Sequence, residues 1–379
     1  MKVLHVITGL DIGGAEQQLR LMLRHLPVRS EVVTLTAPGP VARGIEADGT
    51  PVTHLGMAGN RDLKALPRLV RVVRQGRYDV VHTHLYRACV YGRIAARAAG
   101  VRHVVATEHS LGDRQIEGRP LSAGTRGLYL ATERLGSATV AVSDSVARRL
   151  EAWGVRPARI RVVPNGIERS RFGYDEAARR AARARLGLPE DAFVVGGVGR
   201  LAPGKRFDRL VRAVASLPDA WLLLVGDGEQ RARLEAVARA CGAADRVLLP
   251  GACEDPPREP AAGLPSLPAL LSAMDVFVSA SPDEAFGLAV VEALAAGLPV
   301  LYVACPAVDD LPPDAAPGAR RIGETVPELV SALIGIREAR LGRLPQPAAA
   351  HRYDIARSAG QLLSLYESLP SLPAKRVAP

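Results

Sequence analysis

The chain has no apolar run of the ~18 residues that a membrane-spanning helix needs. Its first residues, Lys2-Val3-Leu4-His5-Val6-Ile7, read as a strand, without the basic region, apolar stretch and cleavage site of a signal peptide. Cysteine is scarce too. Cys89, Cys241, Cys253 and Cys305 are scattered and form no CxxC pair, which argues against disulfide frameworks and cysteine-rich metal sites. The expectation is reduced, mostly buried thiols in a cytoplasmic protein. What is present is ordinary for a soluble, core-forming chain: 48% hydrophobic and 23% charged residues, interleaved throughout 379 positions, a length comfortable for two domains.

The net charge of +10 is unevenly placed. Residues 1–165 hold 24 Lys and Arg against 13 Asp and Glu, whereas the remainder holds 25 against 26. An anionic acceptor or an anionic membrane surface would suit such a half. Nearly all of the excess is Arg in an Ala/Arg/Gly-rich chain, so a compositional habit is the preferred reading. Membrane contact is expected to be weak and electrostatic at most, and nucleic acid is not expected as a partner.

Apolar strand patterns alternate with helical ones from end to end. The first set of strands runs Val3–Ile7, Glu31–Leu35, Asp79–His82, His103–Ala106 and Thr139–Val142. The second runs Phe193–Val198, Trp221–Val225, Val247–Leu249, Val276–Ser279 and Val300–Val303. Between them lie amphipathic helices such as Ala15–His25, Val146–Ala152, Arg231–Cys241 and Leu63–Gln75, the last with Leu63, Leu66, Val70 and Val73 as a stripe expected to be buried and Lys64 and Arg61 near its start. Near-continuous apolar strands joined by helices predict parallel sheets covered on both faces. The pattern restarts near the middle, and each half opens with a strand, a Gly-containing loop and a helix. The fold expected is α/β, two Rossmann-like doubly wound domains facing each other across a cleft at the carboxyl ends of their strands. The domains are expected over 1–165 and 166–352. A C-terminal helix and tail over 353–379 follow, the helix packing back toward the first domain. The Pro/Gly-rich stretch Pro256–Pro268 reads as a surface insertion.

The strongest chemical signal is Ser281-Pro282-Asp283-Glu284-Ala285-Phe286-Gly287-Leu288-Ala289-Val290-Val291-Glu292-Ala293. A strand ends at Ser279 and a helix begins near Gly287, so the free amides of Gly287 and Leu288 form a cradle for phosphate. Glu292 lies one turn beyond Leu288, within reach of a nucleotide ribose. Glu284, just before the helix, can accept hydrogen bonds from the hydroxyls of a bound sugar.

This stretch resembles the Glu, seven residues, Glu signature of the retaining glycosyltransferases of family 4, which have the GT-B fold. The resemblance extends over nearly the whole chain through several motifs in order. It implies that Glu292 holds the ribose hydroxyls and that Glu284 sits by the donor sugar and β-phosphate, with Phe286, Gly287 and Leu288 also on the donor. Ala285 stands where Gly is usual, which tightens the donor pocket. In Gly199-Arg200-Leu201-Ala202-Pro203-Gly204-Lys205, the family pattern uses Arg200 and Lys205, rather than a metal, to neutralise the diphosphate. Arg200 forks across oxygens and Lys205 acts as a point charge. Gly9-Leu10-Asp11-Ile12-Gly13-Gly14-Ala15-Glu16 matches the family's glycine-rich loop. There Gly13 and Gly14 bring backbone to phosphate or acceptor oxygens, and Glu16 accepts from acceptor hydroxyls or amines. Ala106-Thr107-Glu108-His109-Ser110 resembles the family's His-containing segment, which puts His109 over the donor sugar. Gly226 of Gly226-Asp227-Gly228-Glu229 is expected to line the nucleotide pocket, with Asp227 stabilising its loop and backbone near Leu249–Gly251 touching the base. His82 and His84 form an H-x-H pair at a strand end. They are read as one packing residue and one at the cleft edge, not as a metal site, because no third ligand is evident nearby.

Together these imply transfer of a hexosyl unit from a UDP- or GDP-type sugar to an acceptor hydroxyl, with retention and without metal or other cofactor. The acceptor stays open among a small natural product, a lipid and a polysaccharide precursor, and the oligomeric state is unknown. Two alternatives are a GT-B-like sugar-nucleotide epimerase, for which no dedicated acid/base constellation is visible, and a non-catalytic two-lobed binding protein. A nicotinamide dehydrogenase is excluded because Gly196-Gly197-Val198-Gly199 lacks the GxGxxG continuation.

Overall fold

The structure, a computed structural model, describes residues 1–59, 62–112, 115–117, 119–253 and 264–369. It divides into two compact units, Met1–Asn165 with Ile355–Pro379, and Gly166–Asp354. The first carries β1 (Lys2–Ile7), β2 (Arg29–Thr34), β3 (Val52–His54), β4 (Val80–His84), β5 (His103–Glu108), a small hairpin of β6 (Gln115–Ile116) and β7 (Arg119–Pro120), β8 (Ala138–Ala141) and β9 (Ile160–Val162). The second carries β10 (Phe193–Val198), β11 (Ala220–Val225), β12 (Val247–Gly251), β13 (Val276–Ser279), β14 (Val300–Tyr302) and β15 (Ala319–Arg321).

Both main sheets are parallel, in the orders β3-β2-β1-β4-β5-β8-β9 and β12-β11-β10-β13-β14-β15. Their central strands are buried on both faces, which explains their unbroken Val and Leu content. The winding direction reverses between β1 and β4 in one sheet and between β10 and β13 in the other. Loops leaving those strands run opposite ways, and the crevice left at the carboxyl ends is where such sheets bind ligands.

One face of the first sheet is sealed by the last helix, Ile355–Ser368. Its Ile355, Ala359, Leu362, Leu365 and Tyr366, at helical spacing, pack with Met22 and Leu26 over Val3, Val80, Val105 and Val140. The chain leaves the second unit after Asp354, two residues beyond the sequence boundary. Ile167 bridges to Asp354 and donates its amide to the Tyr353 carbonyl, which keeps that stretch in the second unit.

Four differences from the sequence reading have simple causes. Strands β3, β9 and β15 were not legible because each has three residues and two of them exposed. The helix expected over Leu63–Gln75 runs Ala65–Gly76, with Ala65, Leu69 and Val73 as its buried line. The stripe of Leu63, Leu66, Val70 and Val73 is therefore not wholly buried. Leu66 and Val70 sit on its flank, and Leu63, before the first turn, is 74% exposed. Of the thiols only Cys89 and Cys305 are buried, and Cys241 is exposed. Most of Pro256–Pro268 falls outside the described residues, as do Arg61 and the tail beyond Leu369. No described helix is long and apolar enough to cross a membrane.

Candidate functional site

In the second unit the strand-end loops form one hydrogen-bonded frame. Gly199 donates its amide to the Val225 carbonyl (3.0 Å), Leu201 to Asp227 (2.9 Å) and Gly226 to Gly251 (2.9 Å). This brings the ends of β10, β11 and β12 into register and places Gly226 against Gly199. Gly226 has φ 144°, and a Cβ there would run into the Gly199 carbonyl oxygen, so only glycine fits. Asp227 accepts from the Gly228 amide at 2.8 Å and so stabilises its own turn.

Lys205 ends a single 3-10 turn, Pro203–Lys205, and is followed by Arg206 at φ 54°. A non-glycine residue in the left-handed region is held there by its surroundings. The geometry delivers the Lys205 ammonium to Glu284, Nζ to Oε1 2.5 Å, across the reversal between β10 and β13. Arg200 is exposed, and among the described residues its guanidinium has no partner. Past Glu284, Gly287 (φ 100°) caps the helix Leu288–Ala295, whose first amides take no part in its own ladder. A Cβ on Gly287 would lie 2.5 Å from the Cys305 Sγ. Glu292 sits on this helix, half-buried. Phe286 is different. Its ring is buried edge-on against Tyr353 (centroids 5.0 Å), and its carbonyl accepts from the Ala307 amide at 2.9 Å.

In the first unit Gly13, extended at φ −162°, caps the helix Gly14–His25 without a side-chain bond, and Glu16 in its first turn is buried. Ser143 caps the helix Asp144–Trp153 by accepting from the Val146 amide at 3.1 Å. His109 directly follows β5, and its Nε2 lies 3.1 Å from His84 Nδ1. His84 is buried, not at an edge, and its Nε2 lies 3.1 Å from His5 Nδ1. His82 is pinned between the Tyr366 hydroxyl (2.5 Å) and the Thr107 hydroxyl (2.7 Å). Burial pushes His5 down to about 3 and His109 down to about 4, and holds His82 and His84 well below the usual imidazole value. All four rings are therefore neutral at pH 7.

The sequence reading missed a third ring beside the H-x-H pair. One nitrogen each from His5, His82 and His84 lies within 4.8 Å of the others, the spacing of a three-imidazole cation site. The cause is strand pairing, since β1 and β4 are neighbours with His5 opposite His82, a relation 77 residues apart in sequence. Among the described residues His5 Nδ1 and both nitrogens of His82 and His84 already pair with another imidazole or a hydroxyl, and only His5 Nε2 of the three rings does not.

Residues 12–171 match the profile of Glycosyltransferase Family 4, and residues 178–319 that of Glycosyl transferases group 1. A 2-deoxystreptamine glucosyltransferase of Streptomyces kanamyceticus is 30% identical over 91% of this chain and 95% of its own length. A UDP-Gal:alpha-D-GlcNAc-diphosphoundecaprenol alpha-1,3-galactosyltransferase of Escherichia coli is 29% identical over 64% of this chain. A D-inositol 3-phosphate glycosyltransferase of Acidothermus cellulolyticus is 33% identical over 77%. The chain spans 62% and 66% of the lengths of these last two relatives. The crystal structure of Anabaena HepE in complex with UDP and glucose superposes with a TM-score of 0.84 at 23% identity, covering 97% of this chain and all of that one. With two parallel Rossmann-like units and matches along most of its length, this chain belongs to the group 1, family 4 glycosyltransferases of the GT-B fold, enzymes that move a sugar from a nucleotide sugar to an acceptor.

Proposed function

We propose that the chain transfers a hexosyl unit from a UDP-sugar to a hydroxyl of a cyclitol-type acceptor, with retention and without a metal. The observation that carries the reading lies at the reversal point of the second sheet. There a lysine is held by Glu284 just before the open start of the helix Leu288–Ala295, and an exposed arginine, Arg200, lies on the loop that carries the lysine. Cations and helix-start amides together suit a diphosphate leaving group, whose developing charge they would stabilise without a divalent ion. Glu292 would take the ribose hydroxyls, Glu284 the sugar, and Gly226 the nucleotide. His109 would hydrogen-bond a donor hydroxyl, and Gly13, Gly14 and Glu16 would serve the acceptor.

The donor assignment is supported by the UDP bound in the Anabaena relative. The acceptor assignment is supported by the relative matched over nearly its full length, whose named acceptor is an aminocyclitol, and by a second relative named for inositol phosphate. A cytoplasmic location belongs to the same reading, since its donor is a nucleotide sugar. A panel of UDP- and GDP-hexoses crossed with cyclitols, aminocyclitols and lipid-linked sugars, read by nucleoside diphosphate release, tests donor and acceptor together. Proton NMR of the product reports the anomer. Activity lost to chelator and restored by a divalent metal overturns the metal-free reading, and turnover only with a lipid-linked acceptor overturns the cyclitol.

A further inference from the structure

His5, His84 and His109 stand on three adjacent strands, β1, β4 and the end of β5, on the face that elsewhere carries Val3, Val80 and Val105. Three imidazoles in that apolar layer are costly to bury unless their nitrogens are paired. They are paired in a line, His5 Nδ1 with His84 Nε2 and His84 Nδ1 with His109 Nε2, both at 3.1 Å. The two ends of the line, His5 Nε2 and His109 Nδ1, are buried and have no partner among the described residues.

A neutral imidazole has one N–H and one bare nitrogen. Three such rings joined by two hydrogen bonds have only two self-consistent arrangements. Either every N–H points toward His109 or every N–H points toward His5, and the tautomers of all three switch together. The ends decide between them. If the hydrogens point inward, His5 Nε2 carries an N–H enclosed with no acceptor, the rarer and costlier kind of orphan. If they point outward, His5 Nε2 is bare and His109 carries its hydrogen on Nδ1. His109, unlike His5, lines a small cavity of about 30 Å³, with Gln18, Thr107 and Asn165 also on its wall.

We propose that His84 and His5 are positioning residues that hold His109 as its Nδ1–H tautomer, so that it meets its ligand as a hydrogen-bond donor. This rests on the donor-sugar reading of His109. A donor there would favour an oxygen that gains negative charge during transfer over one that must give up a proton. His82, locked between two hydroxyls that suit either tautomer, packs against His84 with centroids 4.3 Å apart and the rings tilted by 31°, which confines the middle ring of the line. The backbone adds a further sign. Leu85, directly after His84, has φ 73° and ψ 154°, a region that is almost exclusively glycine's. Such strain persists only where the surrounding structure imposes it, and here it sits beside the middle ring of the line.

The test uses the full chain labelled with ¹⁵N-histidine at pH 7, without substrate. Long-range proton–nitrogen correlation distinguishes a protonated from a bare ring nitrogen. His109 is expected as Nδ1–H in the wild type and in His84→Gln, whose amide keeps an acceptor toward His5 and a donor toward His109. In His84→Phe, His109 is expected to move toward Nε2–H, the form that free neutral histidine prefers. Steady-state kinetics should follow: kcat falling about tenfold or more in His84→Phe and His5→Phe, KM for the donor little changed, and His84→Gln restoring most of the rate. His109 protonated on Nε2 in the wild type, or unmoved by His84→Phe, overturns the inference. Because the tautomer is read without substrate, the predicted tautomers alongside absent glycosyl transfer would instead refute the functional reading.

Discussion

Lys205 and Glu284 are 79 residues apart, yet their side chains meet at 2.5 Å because each follows a strand flanking the reversal point of one sheet. A cation preorganised in this way costs nothing to orient when the leaving group develops charge. Removing it should resemble the loss of one oxyanion-stabilising donor, a fall in kcat of about 10²–10³. Lys205→Ala is expected to show that loss in nucleoside diphosphate release, and Arg200→Ala a comparable one. Glu292→Ala should instead weaken binding of UDP itself, which calorimetry without acceptor measures, and equal affinity would remove the ribose assignment. Gly226→Ala should be worse than either for the fold. Positive φ and the approach of the Gly199 carbonyl combine, and a loss of about 2 kcal/mol or more in chemical denaturation is expected. Glu284, Gly287, Glu292 and Lys205 were legible in the sequence because each lies in a contiguous motif with its own helix or turn signal. His5 and Cys305 were not. The first matters through strand pairing with β4 and the second through contact with Gly287, and neither relation leaves a local pattern.

At the scale of elements, the core strands announced themselves by unbroken apolar runs, while β3, β9 and β15 at the sheet edges carried too little apolar surface to be seen. The face of β1, β4 and β5 has its own consequence for stability. Four imidazoles there are held neutral by burial, so their folded pKa values lie below the unfolded value of about 6.5. Their contribution is complete above that pH and is lost as pH falls toward 4, because the unfolded chain takes up protons that the fold refuses. Glu108 has the opposite sign. Burial pushes its carboxyl up to about 7, against the pull of Arg93, so it favours the fold at low pH and loses that contribution as pH rises through 7. Each proton of difference contributes about 1.4 kcal/mol per pH unit, and the imidazoles outnumber the carboxyl. Urea midpoints should therefore fall steadily from pH 7 to pH 5. His5→Leu should flatten that slope by about one proton, and a midpoint independent of pH over this range would contradict neutral burial of the cluster.

At the scale of the whole molecule, the positive excess belongs to residues 1–165, with 24 basic against 13 acidic residues. The helix Ala65–Gly76 concentrates part of it: Lys64, Arg68, Arg71 and Arg74 are exposed, and Leu66 and Val70 share a surface groove with Arg71 and Arg74. Among the described residues only Leu63 adds a large, well exposed apolar side chain beside them, at 74%. Burying one leucine contributes at most about 1.5–3 kcal/mol, while each basic residue near an anionic surface contributes ~1 kcal/mol. The basic group therefore outweighs the apolar one, and membrane contact should be electrostatic. Sedimentation with vesicles is expected to show weak binding to anionic lipid at low salt and none to neutral lipid. Binding should vanish toward 1 M salt, where screening shortens to about 3 Å. Arg71→Glu with Arg74→Glu should abolish the binding, whereas Leu63→Ala should leave most of it. Salt-resistant pelleting that Leu63→Ala removes would mean that the apolar flank inserts, and would move the acceptor assignment from a soluble cyclitol to a lipid.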